Sequence, residues 1–339
     1  MKAISLAAPK QIEMVDIPSP HPGPEEVLVN VQYVGLCGSD LNAYRGQMPL
    51  VTYPRVPGHE VSGIILAKGE QVPDSINEGE RVMVSPYTNC GLCPACRAGR
   101  PNCCQFNQTY GVQRDGVLTK CFAVHYSKVY TSQALSLKEL VLVEPLSVGY
   151  HAANRGRVTE VDNVLVIGCG TIGVGVIAAA ARKGATVIAA DIDAAKLGDA
   201  PRFGAKFTIN SAQQDVLAAV DQLTNSEGVS VAIEAVGLPE TFRLAVKAVA
   251  FAGRVVYVGY AKIEVCYDTT DFVRKELDIM GSRNALRVFP AVINMIQQRK
   301  QPFVDLISEI YPFEKTADAF QDWDAAPTKY AKILIDLKA

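Results

Sequence analysis

The sequence predicts an α/β protein with a β-rich first part and a doubly wound parallel sheet after it. Three observations carry this. About the first 150 residues break into short strand-like runs and proline-rich loops. A glycine loop at residues 168–173 joins a strand to a helix. Beyond it, strand-like and helix-like segments alternate, and parallel strands with crossover helices require that alternation. At 339 residues and about 150 residues per domain, the chain has room for two domains.

In the first part, Val27, Val29, Val31 and Tyr33 alternate with Leu28, Asn30, Gln32 and Val34, and Gly35 ends the run. A period of two predicts a strand with one buried face. Val61 to Ala67 and Arg81 to Ser85 are further strand-like runs between Gly, Pro and Asp punctuation. Pro18, Pro20, Pro22 and Pro24 fall within seven residues, which favours ordered loops over helices. After Pro145 the pattern changes. Strands are predicted at Asn163 to Ile167, Thr186 to Ala190, Val229 to Ile233, Arg254 to Gly259 and Leu277 to Met280. Helices are predicted at Thr171 to Lys183 and Pro239 to Phe251. The C-terminal part reads as helices at Arg287 to Arg299 and Lys315 to Asp324, then a strand at Lys332 to Leu337.

Composition excludes several classes. Hydrophobic residues make up 49% and charged residues 20%, which is ordinary for a globular chain and far from a disordered one. With 33 basic and 35 acidic residues the net charge is −2, so no broad basic field attracts nucleic acid. The N-terminal Met1-Lys2-Ala3-Ile4-Ser5 lacks the apolar run of a signal peptide. The apolar stretch around Ile172 to Ala181 is too short for a membrane span of about 20 residues. The expectation is a soluble, cytoplasmic protein with no nucleic-acid or membrane partner. Nine cysteines, an odd number, argue against a disulfide framework in such a chain.

Gly168-Cys-Gly170-Thr171-Ile172-Gly173 is G-x-G-x-x-G after a strand and before a helix. Gly168 permits the tight turn, Gly170 lets the backbone approach a pyrophosphate, and Gly173 lets the helix pack on the sheet. Thr171 and Ile172 open the helix whose N-terminus favours phosphate charge. Asp191 ends the next strand, about twenty residues on, where an acid bonds ribose hydroxyls. Its charge would meet a 2′-phosphate, and Ile192 rather than an arginine follows, so NAD is favoured over NADP. Val236 and Val258 end later strands and are expected to line the cofactor crevice at the sheet's carboxyl edge.

Cys90, Cys93, Cys96 and Cys104 follow C-x₂-C-x₂-C-x₇-C. Four thiolates suit a closed, structural zinc site. The same spacing leaves an iron–sulfur cluster open, and Cys103 beside Cys104 leaves the last ligand open. A second set is more dispersed. Cys37-Gly-Ser-Asp40, Gly58-His59-Glu60 and Glu144-Pro145 offer one Cys, one His and one Glu. Three such ligands leave a fourth zinc position free for a substrate oxygen. Taken singly, Cys37 reads equally as a small core residue, His59 as a buried hydrogen-bonded histidine and Glu144 as a helix cap.

The order of these motifs, C-G-S-D, G-H-E, the four-cysteine loop, E-P-L-S-V-G and then G-C-G-T-I-G, resembles the zinc-dependent medium-chain dehydrogenases over nearly the whole chain. The nearest branch is the sorbitol, polyol and sugar-acid dehydrogenases, marked by Glu144 where other alcohol dehydrogenases place a cysteine. The resemblance implies a GroES-like catalytic domain at 1–148 and 285–339, with a Rossmann NAD-binding domain at 149–284. It implies two zinc ions per chain. Cys37, His59 and Glu144 would hold the catalytic one, and Glu60 would lie beside it as an exchanging ligand or through water. Ser39 would relay the substrate proton. Asn42 departs from the histidine common in that relay, and Asp115-Gly-Val-Leu-Thr-Lys120 departs from the usual D-G-G-F-x-E.

The activity so implied is hydride transfer between NAD and a secondary alcohol of a polyol, sugar or sugar acid, an aldonate such as L-galactonate being one example. Arg283 and Asn284, after the Leu277 to Met280 strand, are the candidate substrate contacts, since a guanidinium grips a carboxylate with two parallel bonds. Arg45 and Arg114 are alternatives for that contact. Competing readings are a dehydrogenase of a simpler alcohol or an amino-alcohol such as threonine, a zinc-free reductase of conjugated carbonyls, and a non-catalytic cofactor-sensing regulator. Both metal sets count against the zinc-free reductase. A homodimer or homotetramer is implied by resemblance alone.

Overall fold

The computed structural model describes residues 1–338. In chain order its strands are β1 (Lys2–Ala8), β2 (Gln11–Asp16), β3 (Glu26–Leu36), β4 (Glu60–Lys68), β5 (Arg81–Val84), β6 (Cys121–His125), β7 (Val129–Thr131), β8 (Asn163–Ile167), β9 (Thr186–Asp191), β10 (Phe207–Asn210), β11 (Val229–Glu234), β12 (Val249–Tyr257), β13 (Asp278–Gly281), β14 (Ile307–Pro312) and β15 (Lys332–Asp336). The chain forms two compact units. The first holds residues 1–144, 289–298 and 303 onward; the second holds 145–288 and 299–302. The sequence places the joins at 148 and 285. The compact units divide between Glu144 and Pro145, inside the continuous helix Val143–Arg155.

In the first unit the long strand β3 organises a seven-stranded sheet in the order β14-β15-β3-β4-β5-β7, with β6 also paired to β3. Val27, Val29 and Val31 are fully buried, and the alternating Leu28, Asn30 and Gln32 are not. That is the alternation an antiparallel strand with one core face produces. The C-terminal segment belongs to this unit because β15 runs antiparallel along β3, with Ile333 opposite Leu36. Phe313 and Phe320 from the same segment join the core around β3. The hairpin β1–β2 and the edge strand β14 carry no alternation strong enough to mark them in the sequence.

The second unit is a six-stranded parallel sheet in the order β10-β9-β8-β11-β12-β13. Numbered within the unit this is 3-2-1-4-5-6, the order of a dinucleotide-binding sheet with two mononucleotide halves. Its central strands β8, β9 and β11 are buried on both faces and read as continuous apolar runs such as Val164 to Ile167. The helix expected from Pro239 to Phe251 stops at Ala248, and β12 begins at Val249. The β-branched Val249 is fully buried beside Val229 of β11, so sheet pairing takes those residues from the helix.

Candidate metal centres and dinucleotide site

The four-cysteine loop lies wholly within residues 90–104. All nine cysteines of the chain are free. Cys93 caps a one-turn helix, Pro94–Arg97, with proline at its first turn. The sulfurs of Cys90, Cys93, Cys96 and Cys104 lie within 4.8 Å of one another. Cys93 Sγ is 3.9 Å from Cys104 Sγ, which is 3.6 Å from Cys90 Sγ. A tetrahedron with metal–sulfur bonds of ~2.3 Å has edges of ~3.8 Å, so this cage fits one zinc ion and is too small for an iron–sulfur cluster. The backbone N–H groups of Cys90 and Cys93 donate to the sulfurs of Cys104 and Cys90, each at 3.3 Å. Backbone donors at Cys96 and Gln105 pull the Cys93 thiol down to about 6, which favours the thiolate a metal needs. Cys103 stays outside the cage, its sulfur 3.8 Å from the Arg100 guanidinium. Cys104 is therefore the fourth member.

The second set is built in the first unit where β3 ends. Cys37 follows β3 and caps the helix Gly38–Tyr44. His59 immediately precedes β4, and Glu60, which opens it, pairs with Gly35 across the ladder. A Cβ at Gly35 would come within 2.3 Å of Glu60 Oε2, so glycine there makes room for the carboxylate. Ligand atoms of Cys37, His59 and Glu60 all lie within 4.8 Å of one another. Glu144, in the first turn of the helix Val143–Arg155, falls outside that set. Its Oε1 accepts a hydrogen bond from the buried Tyr87 hydroxyl. The sequence assigns Glu144 as third ligand with Glu60 beside it; in the structure Glu60 lies in the compact trio with both oxygens on Lys332, and Glu144 lies outside the trio. Burial, reinforced by Glu60, pushes the Glu144 carboxyl up to about 7 despite His59.

His59 is buried, and its Nδ1 has no hydrogen-bond partner. Asp40 Oδ1 stands 3.8 Å behind it. Asp40 is itself fixed by the backbone N–H groups of Cys37 (2.9 Å) and Gly58 (3.1 Å). Burial opposes charge on the ring, yet Asp40, Cys37 and Glu144 raise the His59 pKa well above the usual histidine value. A buried imidazole among thiol and carboxylate groups, with its Nδ1 turned toward Asp40, is an arrangement that suits a cation. An Asp behind a His is the outer support that metal-bound imidazoles use. The donor set fits zinc.

Lys332, which no motif marks, completes the cluster. Its ammonium donates to both Glu60 oxygens at 2.7 Å and to the Leu36 carbonyl at 3.0 Å. It reaches Glu60 because β15 lies beside β3. Burial alone would lower the Lys332 pKa, but Glu60 and Cys37 raise it above the ordinary lysine value. Ser39 lies half-buried in the first turn of the helix Gly38–Tyr44, two residues from Cys37, and Asn42 is half-buried one turn on. Arg45 is committed to Asp324 at 2.5 Å, and Arg114 stacks 4.4 Å from the Tyr110 ring centre.

In the second unit the glycine loop follows β8. Gly168 has φ +96°. A Cβ at Gly173 would lie 1.8 Å from the Gly168 carbonyl oxygen, whereas one at Gly170 meets nothing within 4 Å. The third glycine is thus needed for packing, and the second opens onto free space at the N-terminus of the helix Thr171–Arg182. Thr171 is buried and Ile172 half-buried there. Asp191 ends β9, with its oxygens accepting from the N–H groups of Cys169 (2.7 Å) and Asp193 (2.9 Å). It therefore straps the glycine loop, and each oxygen keeps a further lone pair free to accept a hydroxyl. At the ends of β11 and β12, Val236 is exposed and Val258 buried. Arg283 is exposed and Asn284 half-buried, the latter at φ +55°, just past β13.

Among the described residues no helix is long and apolar enough to cross a membrane. Residues 23–134 match the alcohol dehydrogenase GroES-like domain, and residues 171–298 match the zinc-binding dehydrogenase family. The chain is 32% identical to L-galactonate-5-dehydrogenase of Escherichia coli strain K12, covering 95% of this chain and 94% of that protein. It is 34% identical to the sorbitol dehydrogenase of Bacillus subtilis strain 168, over 95% and 93%. An Escherichia coli CFT073 alcohol dehydrogenase solved with NADH superposes with a TM-score of 0.92 at 30% identity, covering 99% of each chain. The chain belongs to the zinc-dependent alcohol dehydrogenase family, in its polyol branch, and is an oxidoreductase.

Proposed function

We propose that this dehydrogenase oxidises a secondary alcohol of a polyol, sugar or sugar acid, with NAD as hydride acceptor, and reduces the matching ketone in reverse. The observation that carries the reading is the compact trio Cys37, His59 and Glu60, with Asp40 behind the His59 Nδ1. Zinc held there would supply Lewis-acid polarisation of the substrate hydroxyl. Cys37 and His59 would hold it from one side, Glu60 or Glu144 from the other. Lys332 neutralises Glu60 when that carboxylate is not a ligand, and Tyr87 donates a hydrogen bond to Glu144 without adding charge. Ser39 takes the hydroxyl proton toward solvent. Bound NAD would supply the hydride acceptor for the carbinol hydrogen, alcohol and NAD balancing ketone, NADH and a proton. Asp191 bonds the adenosine ribose and disfavours a 2′-phosphate. Cys90, Cys93, Cys96 and Cys104 hold a second, structural zinc.

The substrate class is supported by relatives named for L-galactonate and sorbitol, one sugar acid and one polyol. On the same reading the protein is a cytoplasmic homodimer or homotetramer, and Arg283 and Asn284 contact the substrate. The test is turnover on aldonates, polyols and amino-alcohols with NAD and with NADP, followed by the absorbance of the reduced cofactor, alongside metal analysis. Turnover of an aldonate or polyol with about two zinc per chain supports the reading. Preference for threonine moves the substrate class to amino-alcohols. NAD binding without turnover on any alcohol leaves a cofactor-sensing regulator.

A further inference from the structure

At the carboxyl end of β11 stands a carboxylate that no motif marks. Glu234 is fully buried. Its Oε1 accepts three hydrogen bonds, from the backbone N–H of Val236 (2.8 Å), the backbone N–H of Gly237 (2.7 Å) and the hydroxyl of Thr241 (2.8 Å). Its Oε2 is buried with no hydrogen-bond partner. Burying a carboxylate oxygen without a donor is costly, so this side chain is a poor choice for stability alone.

The surroundings show what the carboxylate holds. Gly259 follows β12, the neighbouring strand. A Cβ there would lie 2.6 Å from Glu234 Oε2 and 2.4 Å from the Gly237 nitrogen. Gly237, at φ +92°, is just as tightly placed: its Cβ would come within 2.8 Å of the Tyr260 carbonyl oxygen. The Val258 N–H donates to the Glu234 carbonyl at 2.9 Å. The turn 235–238 and the turn 258–260 are therefore locked to one another with Glu234 at the junction. Together they display Val236 (46% exposed), Leu238 (53%) and Tyr260 (78%). Apolar side chains displayed on backbone turns pinned by a buried charge make a surface shaped for a ligand.

Strand order says which part of a ligand meets it. β8, β9 and β10 form one mononucleotide half of the sheet, and β11, β12 and β13 the other. Asp191, at the end of β9, serves the adenosine half; Glu234 ends the first strand of the opposite half. We infer that Glu234 is a positioning residue for the nicotinamide half of the cofactor, holding the two turns that receive it. The inference rests on the reading that this unit binds NAD.

The experiment titrates the full-length protein with NADH and, separately, with AMP, which fills only the adenosine half. Glu234→Ala weakens NADH by about tenfold or more, the weight of one lost hydrogen bond to a charged group, and leaves the AMP affinity unchanged. Glu234→Gln returns NADH binding to within about threefold of wild type, because its carbonyl still accepts the three bonds. A residue serving stability alone would lower the melting temperature and leave the ratio of NADH to AMP affinity unmoved. If Glu234→Ala does not fold, Thr241→Val removes one of the three donors and weakens NADH selectively by about threefold. Equal weakening of NADH and AMP, or no change in NADH binding in the folded variants, overturns the inference. Wild-type protein that binds neither compound overturns the dinucleotide reading itself.

Discussion

Lys332→Met tests the electrostatics behind the trio most directly. The ammonium is 5% exposed and the Glu60 carboxylate 1% exposed, so neither is rescued by water once its partner goes. Methionine keeps the bulk of the side chain and removes the charge. It leaves a buried anion unpaired and the Leu36 carbonyl without its donor. Breaking a buried pair from one side costs about 3–5 kcal/mol, or roughly 150- to 5,000-fold in the ratio of folded to unfolded protein. Zinc on the trio would place positive charge against the same carboxylate. The loss is therefore larger in chelator-treated protein than in zinc-loaded protein. Urea unfolding followed by tryptophan fluorescence measures it, because the only tryptophan, Trp323, lies buried in the helix Thr316–Ala325 of the same unit. Adding Glu60→Gln to Lys332→Met removes the stranded charge and restores most of the stability, a coupling that a double-mutant cycle isolates. A loss below about 1 kcal/mol, or one that Glu60→Gln fails to relieve, would refute the reasoning.

Cys104→Ser should release one zinc per chain and lower the melting temperature, while Cys103→Ser keeps both ions; metal analysis with thermal unfolding checks the pair. Cys37→Ala and His59→Ala should abolish turnover and leave the four-cysteine zinc in place, so that each variant binds about one zinc, and normal turnover in either removes that residue from the centre. Asp191→Asn should weaken NAD by about 10- to 150-fold and narrow its advantage over NADP, measured as kcat/KM with each cofactor. Arg283→Lys should lower kcat/KM for an aldonate more than for the matching neutral polyol, since lysine lacks the two-pronged geometry; equal losses on both would assign Arg283 to general positioning.

What the sequence reveals and what it hides divide along physical lines. The four-cysteine cage and the glycine loop are legible because their members lie within 15 and six residues of each other, and both the ligand chemistry and the turn geometry constrain which residue types fit. The burial alternation of β3 is legible for the same local reason. The groups that compensate the sites are hidden. Lys332 reaches Glu60 across 272 residues, and Tyr87 reaches Glu144 across 57. A ligand must be a particular kind of atom at a particular place. The charge or donor that balances it can come from any element that happens to pack alongside, and neither a lysine opening a strand nor a tyrosine in a loop looks unusual on its own. Glu234 is the same case in the second unit: at a strand end in sequence it resembles a solvated acid, and only the close approach of Gly237 and Gly259 shows it to be buried. The choice between Glu60 and Glu144 follows from these hidden partners. Zinc binding at Glu60 competes with Lys332, whereas zinc binding at Glu144 competes only with a neutral phenol, so losing Lys332 should shift ligation toward Glu60 and losing Tyr87 should shift it toward Glu144.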